Sequence, residues 1–152
     1  MMNKESLYQS LNNQVVALIE DETNLIANLA NVSALLNIAL EDINWVGFYL
    51  LENDTLVLGP FQGNPACVRI PIGKGVCGTS FEKKQTLRIE NVHDFEGHIA
   101  CDAASNSEIV IPLIKDGKYI GVLDIDSPSL NRFDQDDQTG LELIMASLKE
   151  HL

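Results

Sequence analysis

The chain has 152 residues, the length of one ordinary domain, and 45% of them are hydrophobic, enough for a core. Its formal net charge of −12 argues against nucleic acid as a partner, because phosphate binding requires a basic face, and against an anionic membrane surface. No apolar run is long enough to cross a bilayer, and the polar first residues lack the apolar segment of a signal peptide. We therefore expect one domain, residues 1–152, in the cytoplasm.

The first part of the chain predicts two helices. Leucine and valine recur at steps of three or four residues from Leu7 to Leu18, and more strongly from Leu25 to Ile43. The polar residues 21–24 lie between these two patterns and are typical of a helix N-terminus. A short helix is expected before a longer one.

Several strands follow, most of them joined by short turns. Aromatic and β-branched residues are enriched in four short segments, residues 44–51, 55–58, 67–72 and 86–89. Residues 76–84, between the last two of these, predict a short helix. Residues 108–114 and 118–126 predict the clearest hairpin, because Asp116-Gly117 between them is typical of a tight turn.

The last segment predicts a helix, and the whole pattern predicts an α+β fold. Asp134 is a candidate N-cap, and Leu141, Ile144, Leu148 and Leu152 form a buried stripe. Strands joined by short turns indicate an antiparallel central sheet, here of about six strands, with the N- and C-terminal helices on one face. Residues 91–107 have no clear period, and we expect this long loop to border a ligand pocket on the other face.

The three cysteines, Cys67, Cys77 and Cys101, are the first candidate reactive groups. An odd number in a reducing compartment is not a disulfide framework, so the choice lies between buried inert thiols and reactive ones. Cys77 follows a glycine-rich turn at a helix N-terminus, where positive potential favours the thiolate. Cys101 lies beside Asp102, whose negative charge disfavours the thiolate form of Cys101. The residues alone therefore favour Cys77 as the reactive thiol.

Two motifs in the same region are better explained without a cofactor or a metal. Residues 73–78 match G-x-G-x-x-G, but a dinucleotide site requires a parallel βαβ unit, so the glycines more plausibly permit a tight turn. His93, His98 and Cys101 match no common zinc spacing, and we interpret the histidines as solvated loop residues. No metal site is expected.

The first strand and the last hairpin contain candidate ligand-binding side chains. Alternation places Trp45, Gly47 and Tyr49 on one face, either as a pocket floor or as core packing with a glycine bulge. Asp124 and Asp126 share a face that should be buried, so they either bind an ammonium group or lie at a frayed, solvated strand end.

The neighbours of these aspartates follow from the strand register. Alternation places Ile120 and Val122 on the same face as the two aspartates. Glu108 begins the partner strand, and with a two-residue turn it faces away from them. Only a bulge, which we place at Pro112, would bring Glu108 to the same face.

The cysteine spacing C-x9-C-x23-C and five motifs together resemble the free methionine-(R)-sulfoxide reductases, which are GAF-domain enzymes. The motifs are Asn-Trp-Val-Gly-Phe-Tyr at 44–49, Gly-Pro-Phe-Gln-Gly at 59–63, Ile-Pro-Ile-Gly-Lys-Gly-Val-Cys-Gly at 70–78, Glu-Ile-Val-Ile-Pro-Leu at 108–113 and Leu-Asp-Ile-Asp-Ser at 123–127. The resemblance extends from about Trp45 to the C-terminus and implies a single GAF domain.

The resemblance implies that the protein is an enzyme that reduces free methionine sulfoxide through cysteine chemistry. The Cys101 thiolate would attack the sulfoxide sulfur, methionine would leave, and Cys101 would become a sulfenic acid. Cys67 or Cys77 would then form a disulfide with it, which thioredoxin would reduce without any bound cofactor. This assignment of the nucleophile conflicts with the preference for Cys77 stated above.

The resemblance also implies the substrate-binding residues. Trp45 and Tyr49 would hold the methyl-sulfur end, whereas Glu108, Asp124 and Asp126 would bind the ammonium group and polarise the sulfoxide. Glu108 would then have to reach the site despite the simple hairpin register. A non-catalytic GAF module that senses a small molecule or redox state is the competing interpretation, because the fold alone does not determine function. A homodimer is also left open.

Overall fold

The computed structural model describes residues 3–99 and 104–152. These residues form four helices, six strands and one 3-10 turn, as follows: α1 Lys4–Ile19, α2 Leu25–Ala39, β1 Trp45–Glu52, β2 Thr55–Gly63, β3 Arg69–Pro71, α3 Gly75–Lys83, β4 Leu87–Ile89, the 3-10 turn Val92–Asp94, β5 Ser107–Lys115, β6 Lys118–Ser127 and α4 Gln135–His151. The strands form one sheet in the order β3-β2-β1-β6-β5-β4, and every neighbouring pair is antiparallel. The predicted α+β fold is confirmed.

Polar side chains begin the long helices, as the sequence predicts. Asn24 caps α2 by accepting a hydrogen bond from the amide of Ala27, and it is the last residue of the predicted polar segment. Asp134 and Asp137 form a reciprocal capping box at the start of α4. Local hydrogen bonding therefore fixes where both helices start.

Helices α1, α2 and α4 pack on one face of the sheet and form the larger core. Val46 and Phe48 of β1 lie in this core and are fully buried, and the predicted stripe on α4 lies there too. The stripe predicted for α1 is wrong at one position, because Leu18 is exposed and Ile19 takes the buried place. None of the helices in the described residues is long and apolar enough to span a membrane.

The opposite face of the sheet packs against α3 and forms a second, smaller core. Trp45 and Tyr49 point to this face, since alternate residues of a strand point to opposite sides. The predicted grouping of these two aromatics is confirmed. The sheet therefore separates a core made with the long helices from a layer in which a ligand site can form.

A bulge near the hairpin turn decides which residues of β5 and β6 share a face. The turn is a tight two-residue one, with positive φ at both Asp116 and Gly117. Ile114 pairs with Tyr119, but the preceding Leu113 pairs with Gly121, so Ile120 is an extra residue on β6. Beyond this point every side chain of β6 is shifted by one position relative to a regular hairpin.

This bulge corrects two predictions of the simple register. Glu108 lies directly opposite Asp126 and on the same face, rather than facing away from it. The bulge is at Ile120 and not at Pro112, which pairs regularly with Val122. Ile120 consequently packs against the core of the long helices, so its predicted placement beside Asp124 is wrong.

Candidate active site

A pocket lies between the second face of the sheet, α3 and the segment that precedes β5. Its walls include aromatic residues of β1, the loop after β2, β3, the first turn of α3, the segment before β5, and acidic residues of β5 and β6. We call it the acidic pocket, defined by its acidic members Glu108, Asp124 and Asp126. All three of these carboxyl side chains are buried, with 5–9% of the residue surface exposed.

The strands hold the three acids together. Asp124 and Asp126 are two residues apart on β6 and share a face, and Glu108 is the cross-strand partner of Asp126. Burial, and then the charges of Asp124 and Asp126, raise the pKa of Glu108 well above its usual value. Glu108 therefore keeps its proton at a higher pH than an exposed glutamate does.

Glu108 and Asp124 form no ion pair with a lysine or arginine among the described residues. The buried Oδ1 atom of Asp124 accepts no hydrogen bond from that part of the chain. Since buried carboxyl groups normally have partners, this arrangement is suited to a cationic ligand. The interpretation of a frayed, solvated strand end is wrong.

Cys77 borders the acids from the first turn of α3. Its thiol donates to Oε2 of Glu108 over 3.9 Å, and one ligand atom each of Cys77, Glu108 and Asp124 lie within 4.8 Å of one another. Burial, followed by the charges of Asp124, Glu108 and Asp126, raises the pKa of Cys77. The predicted thiolate at this helix N-terminus is wrong, because desolvation and three nearby carboxyls outweigh the helix dipole.

The glycines around Cys77 serve the turn, as predicted. Gly73 and Gly75 have φ values of +85° and +63°, which favour glycine. A side chain at Gly78 would place its Cβ 2.4 Å from the carbonyl oxygen of Pro71. The sheet formed by the described residues is antiparallel throughout and does not supply the parallel unit that a dinucleotide site requires.

Aromatic side chains form the apolar wall of the pocket. Trp45 stacks between Tyr49 and Phe61, with ring centroids 5.9 Å and 5.2 Å away. A Cβ at Gly47 would lie 2.3 Å from that of Phe61, so Phe61 fills the gap that Gly47 leaves. Both sequence interpretations therefore hold in part: Gly47 permits close packing beside a bulge in β2, and Trp45 and Tyr49 still line the pocket.

The two cysteines among the described residues differ in their states and positions. Cys67 is half-buried in the loop after β2 and is disulfide-bonded, whereas Cys77 is a free thiol. The hydroxyl of Tyr49 donates to the backbone carbonyl of Cys67 over 2.8 Å. Cys101, the nucleophile that the resemblance implies, lies outside the described residues.

Sequence reasoning missed two polar residues of the pocket, His98 and Ser105. His98 is half-buried and lines it, so the interpretation of His98 as a solvated loop residue is wrong, whereas His93 is exposed as expected. Burial, and then the neighbouring His93, lower the pKa of His98. Residues 91–107 have no clear hydrophobic period, so no sequence pattern could predict where the His98 side chain lies. Cys101, the third residue of the histidine and cysteine set that we rejected as a metal site, lies outside the described residues.

Comparison with known proteins identifies the family. A GAF domain model matches residues 30–150. The free methionine-R-sulfoxide reductase of Escherichia coli (strain K12) is 60% identical over 151 residues, covering 99% of this chain and 92% of that protein. This chain belongs to the free methionine-R-sulfoxide reductase family of GAF-domain proteins. The predicted family is confirmed, and the match includes the N-terminal helices that the sequence motifs did not cover.

Solved structures of this family have the same fold. The Staphylococcus aureus reductase in complex with substrate superposes with a TM-score of 0.91 at 58% identity, covering 95% of each chain. The Neisseria meningitidis free methionine-R-sulfoxide reductase in complex with its substrate gives a TM-score of 0.94 at 44% identity, covering 99% of this chain and 91% of that one. The predicted GAF fold is confirmed, while the roles of the individual site residues stay predictions.

Proposed function

We propose that this protein reduces free L-methionine (R)-sulfoxide to L-methionine in the cytoplasm, with thioredoxin as the electron donor and no bound cofactor. The observation that carries the proposal is the acidic pocket: three buried carboxyl groups beside an aromatic wall and a thiol. Membership of a family whose relatives are named for this reaction supports it.

The pocket matches both ends of a free methionine sulfoxide. The carboxyl groups of Asp124 and Asp126, with Glu108, bind the substrate ammonium group. Trp45 and Tyr49 pack against the methyl-sulfur end, because sulfur makes favourable contacts with aromatic rings. A methionine sulfoxide inside a polypeptide has no ammonium group, and leaving buried charges unpaired costs about 3–5 kcal/mol. The enzyme therefore selects the free amino acid.

The first chemical step transfers the sulfoxide oxygen to a cysteine. The sulfur of Cys101 attacks the sulfoxide sulfur, the sulfoxide oxygen takes up a proton, and Cys101 ends as a sulfenic acid while methionine leaves. The structure supports Glu108 as the proton donor, since its raised pKa keeps a proton available beside the substrate site. One thiol and one sulfoxide are consumed, and one sulfenic acid and one thioether are formed.

The second step forms a disulfide, and we assign the resolving role to Cys67. The Cys67 thiol attacks the sulfenic sulfur of Cys101, and the hydroxyl group of the sulfenic acid takes up the thiol proton and leaves as water. Two observations favour Cys67 over Cys77: Cys67 is already disulfide-bonded, and the raised pKa of Cys77 disfavours its thiolate. Thioredoxin then exchanges its dithiol for the disulfide and restores the enzyme.

A coupled assay tests the proposal. The protein is mixed with thioredoxin, thioredoxin reductase and NADPH, and racemic free methionine sulfoxide is added. We expect NADPH consumption that stops when half of the racemate is used, and none with N-acetylmethionine sulfoxide or with the Cys101→Ser variant. Absence of turnover in the wild-type protein would overturn the proposal. If the Cys101→Ser variant still released methionine in a single turnover, Cys77 would be the nucleophile instead.

A further inference from the structure

The loop that carries Cys67 is tied to the aromatic wall of the acidic pocket. This loop, residues 64–68, joins β2 to β3. The indole Nε1 of Trp45 donates to the carbonyl of Asn64 over 3.1 Å, and the hydroxyl of Tyr49 donates to the carbonyl of Cys67 over 2.8 Å. The two side chains that form the apolar wall thus also bind the backbone of the loop.

Both ends of the loop are fixed independently of Tyr49. At the start, Gly63 lies so close to Trp45 that a Cβ there would be 2.6 Å from Cδ1 of the indole. At the end, the carbonyl of Val68 accepts a hydrogen bond from the amide of Leu58 over 2.8 Å. Between these ends, the Tyr49 hydroxyl holds the Cys67 backbone through its hydrogen bond to the Cys67 carbonyl.

We propose that Tyr49 is the positioning residue for the resolving cysteine: its hydroxyl holds the Cys67 backbone where the Cys67 thiol can meet the sulfenic acid of Cys101. The inference rests on the proposed function and deepens it. In the step concerned, the sulfur–sulfur bond forms, the sulfenic sulfur–oxygen bond breaks, and the thiol proton leaves with the hydroxyl as water. Tyr49 exchanges no atom and acts through the loop alone.

The surroundings of Tyr49 keep its hydroxyl a donor. Burial, and then the charge of Asp124, raise the pKa of Tyr49, so the phenol stays protonated beside the acids. Its acceptor is a backbone carbonyl, which is present whether Cys67 is a thiol or half of a disulfide. The hydrogen bond can therefore be kept through the whole catalytic cycle.

The experiment compares two rates in the Tyr49→Phe variant. This change keeps the ring that faces the substrate and removes the hydroxyl. In single turnovers without thioredoxin, methionine release reports the first step, and loss of free thiols reports disulfide formation. We expect disulfide formation to slow about tenfold, equivalent to about 1.4 kcal/mol, and methionine release to change by a smaller factor. Sulfenic acid should accumulate and be trapped by dimedone.

Two further variants show whether the effect of Tyr49→Phe is specific or reflects a general disturbance of the fold. Tyr119→Phe makes the same chemical change on the same side of the sheet but outside the acidic pocket, and both rates should equal those of the wild type. Trp45→Phe removes the other hydrogen bond to the loop and should also slow disulfide formation more than methionine release. Faster amide hydrogen exchange in residues 64–68 of Tyr49→Phe is expected as well.

The possible outcomes separate this inference from the proposed function. A wild-type protein that releases no methionine would overturn the proposed function and the inference with it. A wild-type protein that releases methionine but joins Cys101 to Cys77, shown by peptide mapping, would overturn the inference alone. Equal slowing of both rates in Tyr49→Phe, or an unchanged rate of disulfide formation, would also overturn it.

Discussion

Two carboxylate clusters lie on opposite sides of the sheet and are built differently: Asp134 with Asp137, which share Lys4, and the acids of the acidic pocket. On the side of the long helices, Asp137 is 1% exposed and accepts hydrogen bonds from Tyr8, Lys4 and Arg132 at 2.7, 2.8 and 3.3 Å. In the acidic pocket, Glu108 and Asp124 are also buried, at 7% and 5% exposed, but form no ion pair with a described lysine or arginine.

The difference predicts a different role for each cluster. A buried carboxylate surrounded by donors stabilises the fold, here by joining α1 to α4 and to the segment before it. Buried carboxyl groups without cations destabilise the ligand-free protein and are relieved when a cationic ligand enters. Substitutions in the first cluster should therefore lower stability, and those in the second should lower activity.

The largest expected effect is that of Glu108→Gln. The variant keeps the shape of the side chain but removes the acidic proton, so kcat/KM should fall about 100-fold or more. Because glutamine cannot ionise beside Asp124 and Asp126, the melting temperature of the ligand-free protein should stay constant or rise. Steady-state kinetics and thermal melts check both; a lower melting temperature with near-normal turnover would contradict the comparison.

The reverse result is expected for Asp137→Asn. Loss of the charge weakens the bonds from Lys4, Arg132 and Tyr8, and should lower the free energy of unfolding by about 2 kcal/mol. Activity per folded molecule should remain unchanged, because the sheet separates Asp137 from the acidic pocket. Urea unfolding measures the first effect. A large loss of kcat/KM in fully folded protein would show that the two clusters are coupled.

A smaller effect is expected for Asp126→Asn. The amide keeps a hydrogen-bond acceptor but loses the charge that attracts the substrate ammonium group. We expect KM to rise about tenfold with a smaller change in kcat, because the loss falls mainly on substrate capture. Steady-state kinetics with the free amino acid measure it, and an unchanged kcat/KM would remove Asp126 from the site.

The smallest effect is a difference in pH dependence. Folding raises the pKa of Glu108 above the ordinary value of 4.5, so the folded protein holds this proton more tightly than the unfolded chain does. Its stabilising contribution is complete below that value and is lost as the pH rises through the raised pKa. The free energy of unfolding, measured by urea titration without ligand, should therefore fall over this range, and less steeply in Glu108→Gln.

Asp134, on the side of the long helices, should behave in the opposite way. Burial acts to raise its pKa, but hydrogen bonds from Lys4 and from the amide of Asp137 lower it to about 2. Its contribution to stability is present above 3.8, the value in the unfolded chain, and is lost as the pH falls toward 2. Identical pH profiles for Glu108→Gln and Asp134→Asn would contradict the distinction between the two clusters.

The elements that sequence predicts well are those fixed by local chemistry. The Asn24 and Asp134 caps, the Asp116-Gly117 turn and the alternation of Trp45 and Tyr49 depend on residues close in the chain, and each is confirmed. The family motifs added the fold and named the candidate residues, but they gave no geometry.

The errors arose where distant parts of the chain meet. The bulge at Ile120 shifts the register of β6 against β5, and neither the turn nor the alternation of β6 reveals it. The raised pKa of Cys77 depends on carboxyls from β5 and β6, whereas the helix dipole that misled the prediction is local. The pocket position of His98 likewise requires the tertiary fold.

One binding measurement tests the central claim, that the carboxyl groups of the acidic pocket bind the substrate ammonium group. Isothermal titration of the Cys101→Ser variant, which cannot turn over, compares free methionine sulfoxide with its N-acetyl derivative. The account predicts that the dissociation constant of the free amino acid is lower than that of the acetylated one by about 100-fold or more, because only the free form has an ammonium group. Equal affinities would contradict the account.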